Sequence, residues 1–335
     1  MKVRVLGAGS WGTALAILLG RNGHDVDLAC RNTEEATRIT ADRENKQFLP
    51  GHPLPNSVSI RNRCDSAPFE PDFMIVAVPA PTLTENLPFI TPDRPIFLAT
   101  KGFTGEVKSG ILSDVIYGAL PNATVGAIGG PNLAREVVED VPTTTLCACP
   151  SEEAAHQVCA ALSCDTFRAY FSEDLIGVEV AGALKNVLAI GAGMSDGLGY
   201  GDNTKGSLLA RGLREMTILG TAMGGQMQTF FGIAGVGDLF ATANSKLSRN
   251  YRLGFAIAAG KTVDQALAEI GQVAEGVPSA HRIPALAEMH GLELPLLGAI
   301  THILNGELDP REAVIKLMRR APAKERILCP PPTSL

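Results

Sequence analysis

The chain opens on an apolar strand pattern, Val3, Val5 and Leu6, that runs straight into Gly7-Ala8-Gly9-Ser10-Trp11-Gly12. Thr13 to Gly20 then has helical character, and Asn22-Gly23 supplies a stop. Strand, GxGxxG and helix in that order leave the backbone few choices. The first glycine, Gly7, permits a tight turn, the second, Gly9, lets a phosphate approach the main chain, and the third, Gly12, lets helix and strand pack closely. A lone GxGxxG is a weak signal, but here it has the strand before it and the helix after it that the motif requires. The start of the chain therefore predicts a dinucleotide-binding βα unit.

The next strand, Asp25 to Ala29, ends at Cys30-Arg31-Asn32, where a chain specialised for NAD usually offers a carboxylate to the ribose hydroxyls. Arg31 stands there instead. A guanidinium pairs with the 2′-phosphate of NADP, so NADPH, or both NADPH and NADH, is expected; the alternative is a solvated surface arginine. Asn32 and Glu35 form a helix cap and capping box without any ligand. Residues 41 to 57 carry Pro50, Gly51, Pro53 and Pro55 and read as an irregular connection with no assigned role. Strands follow at Val58 to Ile60, Phe73 to Val78, Ile96 to Thr100 and Thr124 to Ile128, with helices near Leu83 to Phe89 and Ser109 to Leu120. This alternation predicts a parallel, doubly wound sheet. Strands at Thr143 to Cys149 and Phe167 to Phe171, with a helix between them, extend it.

Ligands of such sheets gather at the carboxyl ends of the strands. Three loops fall there: Val78-Pro79, Thr100-Lys101-Gly102 and Gly129-Gly130-Pro131-Asn132. Lys101 would polarise a carbonyl or hold a phosphate, and Gly130 and Asn132 would offer donors at a helix start. Each alone is ordinary loop chemistry, and only its position in the crevice raises it.

From Ser172 onward the pattern is helical, which divides the chain into a sheet domain (1–171), an all-helical domain (172–328) and a tail (329–335). Lys185 lies inside the small or apolar run Ile176 to Met194, in a helix that reads apolar all round and therefore buried. Burial lowers a lysine's pKa and makes it a proton donor and acceptor near neutral pH. The alternative is a packed stem with its head in water. Gly235-Val236-Gly237-Asp238 sets a carboxylate at a helix start, and Ser248-Arg249-Asn250 opens the next helix with groups suited to a phosphate. Plain N-caps at Asp238 and Ser248 explain the same residues.

The 335 residues suffice for two cores, and 45% hydrophobic with 19% charged residues excludes disordered and fibrous classes. The net charge of -6 comes from mixed signs without a basic run, so neither nucleic acid nor an anionic membrane is an expected partner. Seven scattered cysteines fit reduced thiols rather than a disulfide framework, and no metal site is expected; the lone Cys147-x-Cys149 reads as strand packing. Lys2 and Arg4 before an apolar run resemble a signal peptide only superficially, and no later segment is expected to reach the length of a membrane span, so a cytoplasmic protein is expected.

On these residues the chain closely resembles the bacterial NAD(P)-dependent glycerol-3-phosphate dehydrogenases, from about Val3 to Arg326. The motifs carrying the resemblance are Gly7 to Ala14, Ala99-Thr100-Lys101-Gly102, Gly182-Ala183-Leu184-Lys185-Asn186 with Gly191 to Gly197, Gly235 to Asp238, Ser248 to Asn250 and Val273 to Gly276. The resemblance implies a Rossmann domain joined to a helical domain, a possible homodimer, and reduction of dihydroxyacetone phosphate to sn-glycerol 3-phosphate for phospholipid synthesis. It further implies cofactor contacts at Ser10, Trp11, Arg31, Lys101, Ala134, Arg249, Val273 and Glu275. Lys185 would be the proton acceptor, and Lys101, Gly130, Asp238, Ser248, Arg249 and Asn250 would hold substrate. Asn132 stands where the family usually has Thr or Ser; its amide can still donate. The competing readings are a two-domain dehydrogenase of a 2-hydroxy acid or sugar acid, for which a phosphate pocket is idle, and a non-catalytic NAD(P)-sensing module.

Overall fold

A computed structural model of the chain describes residues 1–65 and 69–322. The tail at 329–335, and the last residues of the helical domain and of the family resemblance, lie outside the described residues. Eight strands form one sheet: β1 (Lys2–Leu6), β2 (Asp25–Cys30), β3 (Val58–Asn62), β4 (Phe73–Val76), β5 (Ile96–Leu98), β6 (Val125–Gly129), β7 (Thr143–Ala148) and β8 (Phe167–Ser172). Their order is β3-β2-β1-β4-β5-β6-β7-β8. The direction of chain progress reverses between β1 and β4, which opens a crevice at the carboxyl ends of those strands.

The first six strands are parallel, with Val5 opposite Leu28 on one side and Ile75 on the other. The expected parallel, doubly wound sheet is present, and of the two strands that extend it β7 departs from the parallel direction, pairing antiparallel with β6, Ile128 facing Cys147. The connection explains the reversal. Its helix, Ala134–Val138, has five residues and spans about 7.5 Å, too short to carry the chain back along a strand of about 17 Å. The chain therefore turns and returns beside β6, and β8 then pairs parallel to β7.

The Ser10–Arg21 helix is buried from Gly12 to Gly20 and shares a core with Val3, Val5, Val26 and Leu28. Cys147 and Cys149 are both buried in that core, as alternation along the strand requires.

β8 ends at Ser172 and the 23-residue helix Leu175–Gly197 begins immediately after it. Asp174 caps this helix by accepting from the Gly177 N–H at 2.9 Å. Its apolar length is enough to cross a membrane, contrary to the sequence expectation, but 94% of the apolar window is buried inside the protein. It is the core around which the other helices pack. The tightest neighbour is Arg249–Ala258: a Cβ on Gly193 would stand 2.0 Å from the Tyr251 carbonyl oxygen, and one on Gly254 1.9 Å from that of Ile190. Only glycines allow the two backbones this close.

Candidate functional site

The site has two parts. The first is the glycine turn at the crevice. Gly7 has φ +110°, and a Cβ there would lie 2.7 Å from the Ala77 carbonyl oxygen. A Cβ on Gly12 would lie 1.9 Å from the Gly7 oxygen, while one on Gly9 would meet nothing within 4 Å. Two glycines are thus demanded by packing, and the third leaves its face open to a ligand. Gly9 is also the N-cap of the helix and supplies no side-chain bond to it, so the first N–H groups keep their capacity for an anion. The buried Trp11 Nε1 has no hydrogen-bond partner among the described residues. These features fit the pyrophosphate of a dinucleotide.

Residues 41 to 57, which carried no assigned role, clamp this turn. Asn45 is buried and donates to the Ala8 carbonyl at 2.7 Å and to Thr13 Oγ1 at 2.8 Å. Ser10 donates to the Phe48 carbonyl at 2.9 Å. Nothing in the local pattern marks Asn45, because its partners lie more than thirty residues earlier, in the glycine turn and the helix after it.

Arg31 stands at the end of β2 with its side chain 65% exposed, free of the second part of the site. Asn32 caps the following helix, Thr33–Asp42, accepting from the Glu35 N–H at 2.9 Å. The expected capping box is not formed as such, since the Glu35 carboxylate accepts from the N–H of Arg31, at 3.1 Å, rather than from that of Asn32.

The second part is a buried charge cluster. Lys185 is 7% exposed and Asp238 is 1% exposed. Lys185 Nζ lies 3.0 Å from Asp238 Oδ1 and donates to Thr242 Oγ1 at 2.8 Å. Lys101 Nζ donates to Asp238 Oδ2 at 2.7 Å and to the Gly130 carbonyl at 3.0 Å. Gly130 therefore enters through its oxygen. Asp238 is not the N-cap that its position after Gly237 allows; it is the first residue of the Asp238–Asn244 helix, and Gly237 occupies the cap. A π-helical turn, Ile233–Gly237, delivers it. Gly235 is forced there, because a Cβ would sit 2.0 Å from the Phe230 oxygen. Thr242, one turn along, donates to Asp238 Oδ1 at 3.1 Å and was not singled out from the sequence.

Burial lowers Lys185 to about 8; Asp238 opposes that shift, and Lys101 and Arg249 add to it. Asp238 is held below the ordinary carboxylate value: burial pushes it up, but Lys101 and Lys185 outweigh burial. A buried ammonium poised near neutrality, steadied by a carboxylate and beside a second ammonium, can pass a proton to an oxygen that gains negative charge.

Around the cluster, Ser248 caps the Arg249–Ala258 helix, accepting from the Tyr251 N–H at 3.2 Å, as the plain cap reading requires. Asn250 donates to Asn186 Oδ1 at 2.9 Å and accepts from the Gly276 N–H at 3.0 Å, so it ties the residue after Lys185 to the start of the Gly276–Met289 helix. Glu275 is the N-cap of that helix. Burial pushes Glu275 up to about 7, opposed by Arg249 and the Ala80 N–H, and its Oε2 has no partner among the described residues. Arg249 Nη1 reaches Gln272 Oε1 at 3.3 Å. Val273 is 44% exposed. Ala134 is half-buried at the start of its short helix. Asn132 turns toward β7, donating to the Thr144 carbonyl at 3.1 Å and accepting from Thr145 Oγ1 at 3.0 Å, so only one of its N–H groups is uncommitted. The structure thus joins Lys101, Gly130, Lys185 and Asp238 in one bonded network and leaves Ser10 and Arg31 outside it.

A glycine turn at the switch point of a doubly wound sheet, followed by a helical half carrying a buried lysine–carboxylate cluster, defines the two-part nicotinamide-dependent dehydrogenase class. The comparisons name the family. The model for the NAD-dependent glycerol-3-phosphate dehydrogenase N-terminus matches residues 2–155, and that for the C-terminus matches residues 174–315; the chain belongs to the NAD-dependent glycerol-3-phosphate dehydrogenase family. It is 42% identical over 326 residues to a glycerol-3-phosphate dehydrogenase [NAD(P)+] of Halorhodospira halophila, covering 96% of this chain and 98% of that relative. One from Streptomyces griseus is 40% identical over 333 residues, covering 97% and 98%. The crystal structure of a glycerol-3-phosphate dehydrogenase from Coxiella burnetii superposes with a TM-score of 0.90 at 35% identity, covering 95% of this chain and 99% of that one.

Proposed function

We propose that the protein reduces dihydroxyacetone phosphate to sn-glycerol 3-phosphate with NADPH or NADH, in the cytoplasm and for glycerophospholipid synthesis. The single observation that carries this reading is Lys185, buried and held by Asp238 and Thr242 beside Lys101. When bound, the nicotinamide supplies the hydride. Gly7, Gly9, Gly12, Ser10 and Trp11 hold the dinucleotide at the helix N-terminus, and Arg31 reads its 2′-phosphate. Lys185 holds a proton at Nζ and gives it to the substrate oxygen as negative charge develops there. Lys101 polarises that oxygen, and Asp238 keeps both ammonium groups in place. Arg249, with Ser248 and Asn250, takes the substrate phosphate, so binding energy remote from the reacting carbon aligns it. Thr242 accepts from Lys185 and donates to Asp238, and Asn250 holds Asn186 beside Lys185. A homodimer is expected from the resemblance alone.

The test is oxidation of NADPH and NADH with dihydroxyacetone phosphate, beside unphosphorylated dihydroxyacetone and a 2-keto acid. Turnover confined to the phosphorylated ketone is expected. Arg249→Ala should damage use of that ketone far more than any residual use of the unphosphorylated one. Cofactor binding without turnover on any of the three would overturn the reading.

A further inference from the structure

The buried carboxylate beside Arg31 has no part in the reading above. The same Glu35 oxygen that accepts from the Arg31 N–H at 3.1 Å lies 3.9 Å from Arg31 Nε. The two side chains differ sharply in exposure, 6% for Glu35 and 65% for Arg31. One sealed oxygen therefore bonds the main chain of Arg31 and lies within ion-pair distance of its guanidinium, while the Arg31 side chain is largely exposed at the carboxyl end of β2. Glu35 itself is too enclosed to touch a ribose. The other cation of this helix, Arg38, donates to Gln47 Oε1 at 2.6 Å and forms no ion pair with Glu35 among the described residues.

A negative charge in this place acts on the two cofactors differently. A 2′-phosphate carries charge that Glu35 repels, and Glu35 also offsets part of the Arg31 charge that attracts it. A 2′-hydroxyl is neutral and feels neither effect strongly. We infer that Glu35 is a positioning residue that sets the cofactor ratio through Arg31, restraining the preference for NADPH so that NADH is also used. The inference rests on the proposed reading of Arg31.

It is tested by direct binding, without turnover. Dissociation constants for NADPH and NADH are measured by calorimetry and by quenching of Trp11, the one tryptophan of the chain, in the full-length protein and in Glu35→Gln, Glu35→Ala and Arg31→Ala. Glu35→Gln keeps an acceptor for the Arg31 N–H and removes the charge. It should tighten NADPH binding roughly two- to five-fold, the scale of a partly exposed ion pair, and leave NADH unchanged. Glu35→Ala also loses the acceptor and should weaken both cofactors, yet move the ratio of NADPH affinity to NADH affinity in the same direction. Arg31→Ala should lower that ratio. If Arg31→Ala lowers the ratio but Glu35→Gln leaves it unchanged, or shifts both cofactors equally, the role of Glu35 is overturned while that of Arg31 stands. An unchanged ratio in Arg31→Ala overturns both.

Discussion

Asp238 and Glu179 are both sealed from solvent, 1% and 6% exposed, and both stand where the helical half meets the sheet half, yet burial has opposite outcomes for them. Asp238 sits between two ammonium groups and is held ionised below its ordinary range. Glu179 accepts from neutral donors, the Ser113 N–H at 3.0 Å and hydroxyl at 2.6 Å and the Leu112 N–H, and burial, with a smaller push from the Asp114 charge, raises it to about 7. Neutral donors do not offset desolvation here; two full charges do. The same rule explains Lys185. One carboxylate supports its charge, but burial and the positive charge of Lys101 outweigh that support and leave it near 8. Opposite charges are gathered around Lys185, the proposed proton carrier, whereas Glu179 has no cation among the causes of its shift.

The largest test of this contrast is Lys185→Ala. It removes the proposed proton donor, so turnover should fall by roughly 10²–10⁴-fold, while NADPH binding measured by fluorescence persists. Near wild-type turnover would place the proton chemistry elsewhere. Asp238→Asn comes next. It leaves Lys101 and Lys185 facing each other without a carboxylate and should cost on the order of 3 kcal/mol of stability in denaturant unfolding; an unchanged midpoint would mean that the cluster holds no more than Glu179 does. The smallest effect belongs to Glu179→Gln. With a folded-state value of about 7 against an ordinary 4.5, the folded protein keeps a proton that the unfolded chain releases between those values. Wild-type stability should therefore decline as pH rises through that window, by on the order of 1–3 kcal/mol. The difference curve between wild type and Glu179→Gln isolates this slope from that of Glu275, and a flat difference would remove Glu179 from the comparison.

The parts legible in the sequence were those whose chemistry is local. The strand, Gly7-Ala8-Gly9-Ser10-Trp11-Gly12 and helix are read within twenty residues because the turn itself puts Gly7 at φ +110° and brings Gly12 against the Gly7 carbonyl; that Gly7 also packs against Ala77 is a distant contact. Lys185 was visible as one charge in an apolar helix, but its partner was not. An aspartate after glycine at a helix start reads equally as a cap, and no periodicity announces the π-helical turn that swings Asp238 between the lysines. Asn45 was hidden for the same reason, since its partners Ala8 and Thr13 lie far away in sequence. Alternation of strand and helix gives the layers but not strand direction, so the reversal at β7 followed only from how short its connecting helix is. Glu35 obeyed the spacing of a capping box but bonded one residue earlier, to Arg31.

The central claim is that Lys185 carries the proton and that Asp238 tunes it. The most direct measurement is the pH dependence of turnover in both directions, for wild type and Asp238→Asn. Ketone reduction needs the ammonium form and should fall as pH rises through about 8; glycerol 3-phosphate oxidation needs the neutral amine and should rise through the same region. In Asp238→Asn the carboxylate no longer supports the charge on Lys185, so both limbs should move to lower pH. Limbs that stay in place in the variant, or that run in the same direction for both reactions, would contradict the account.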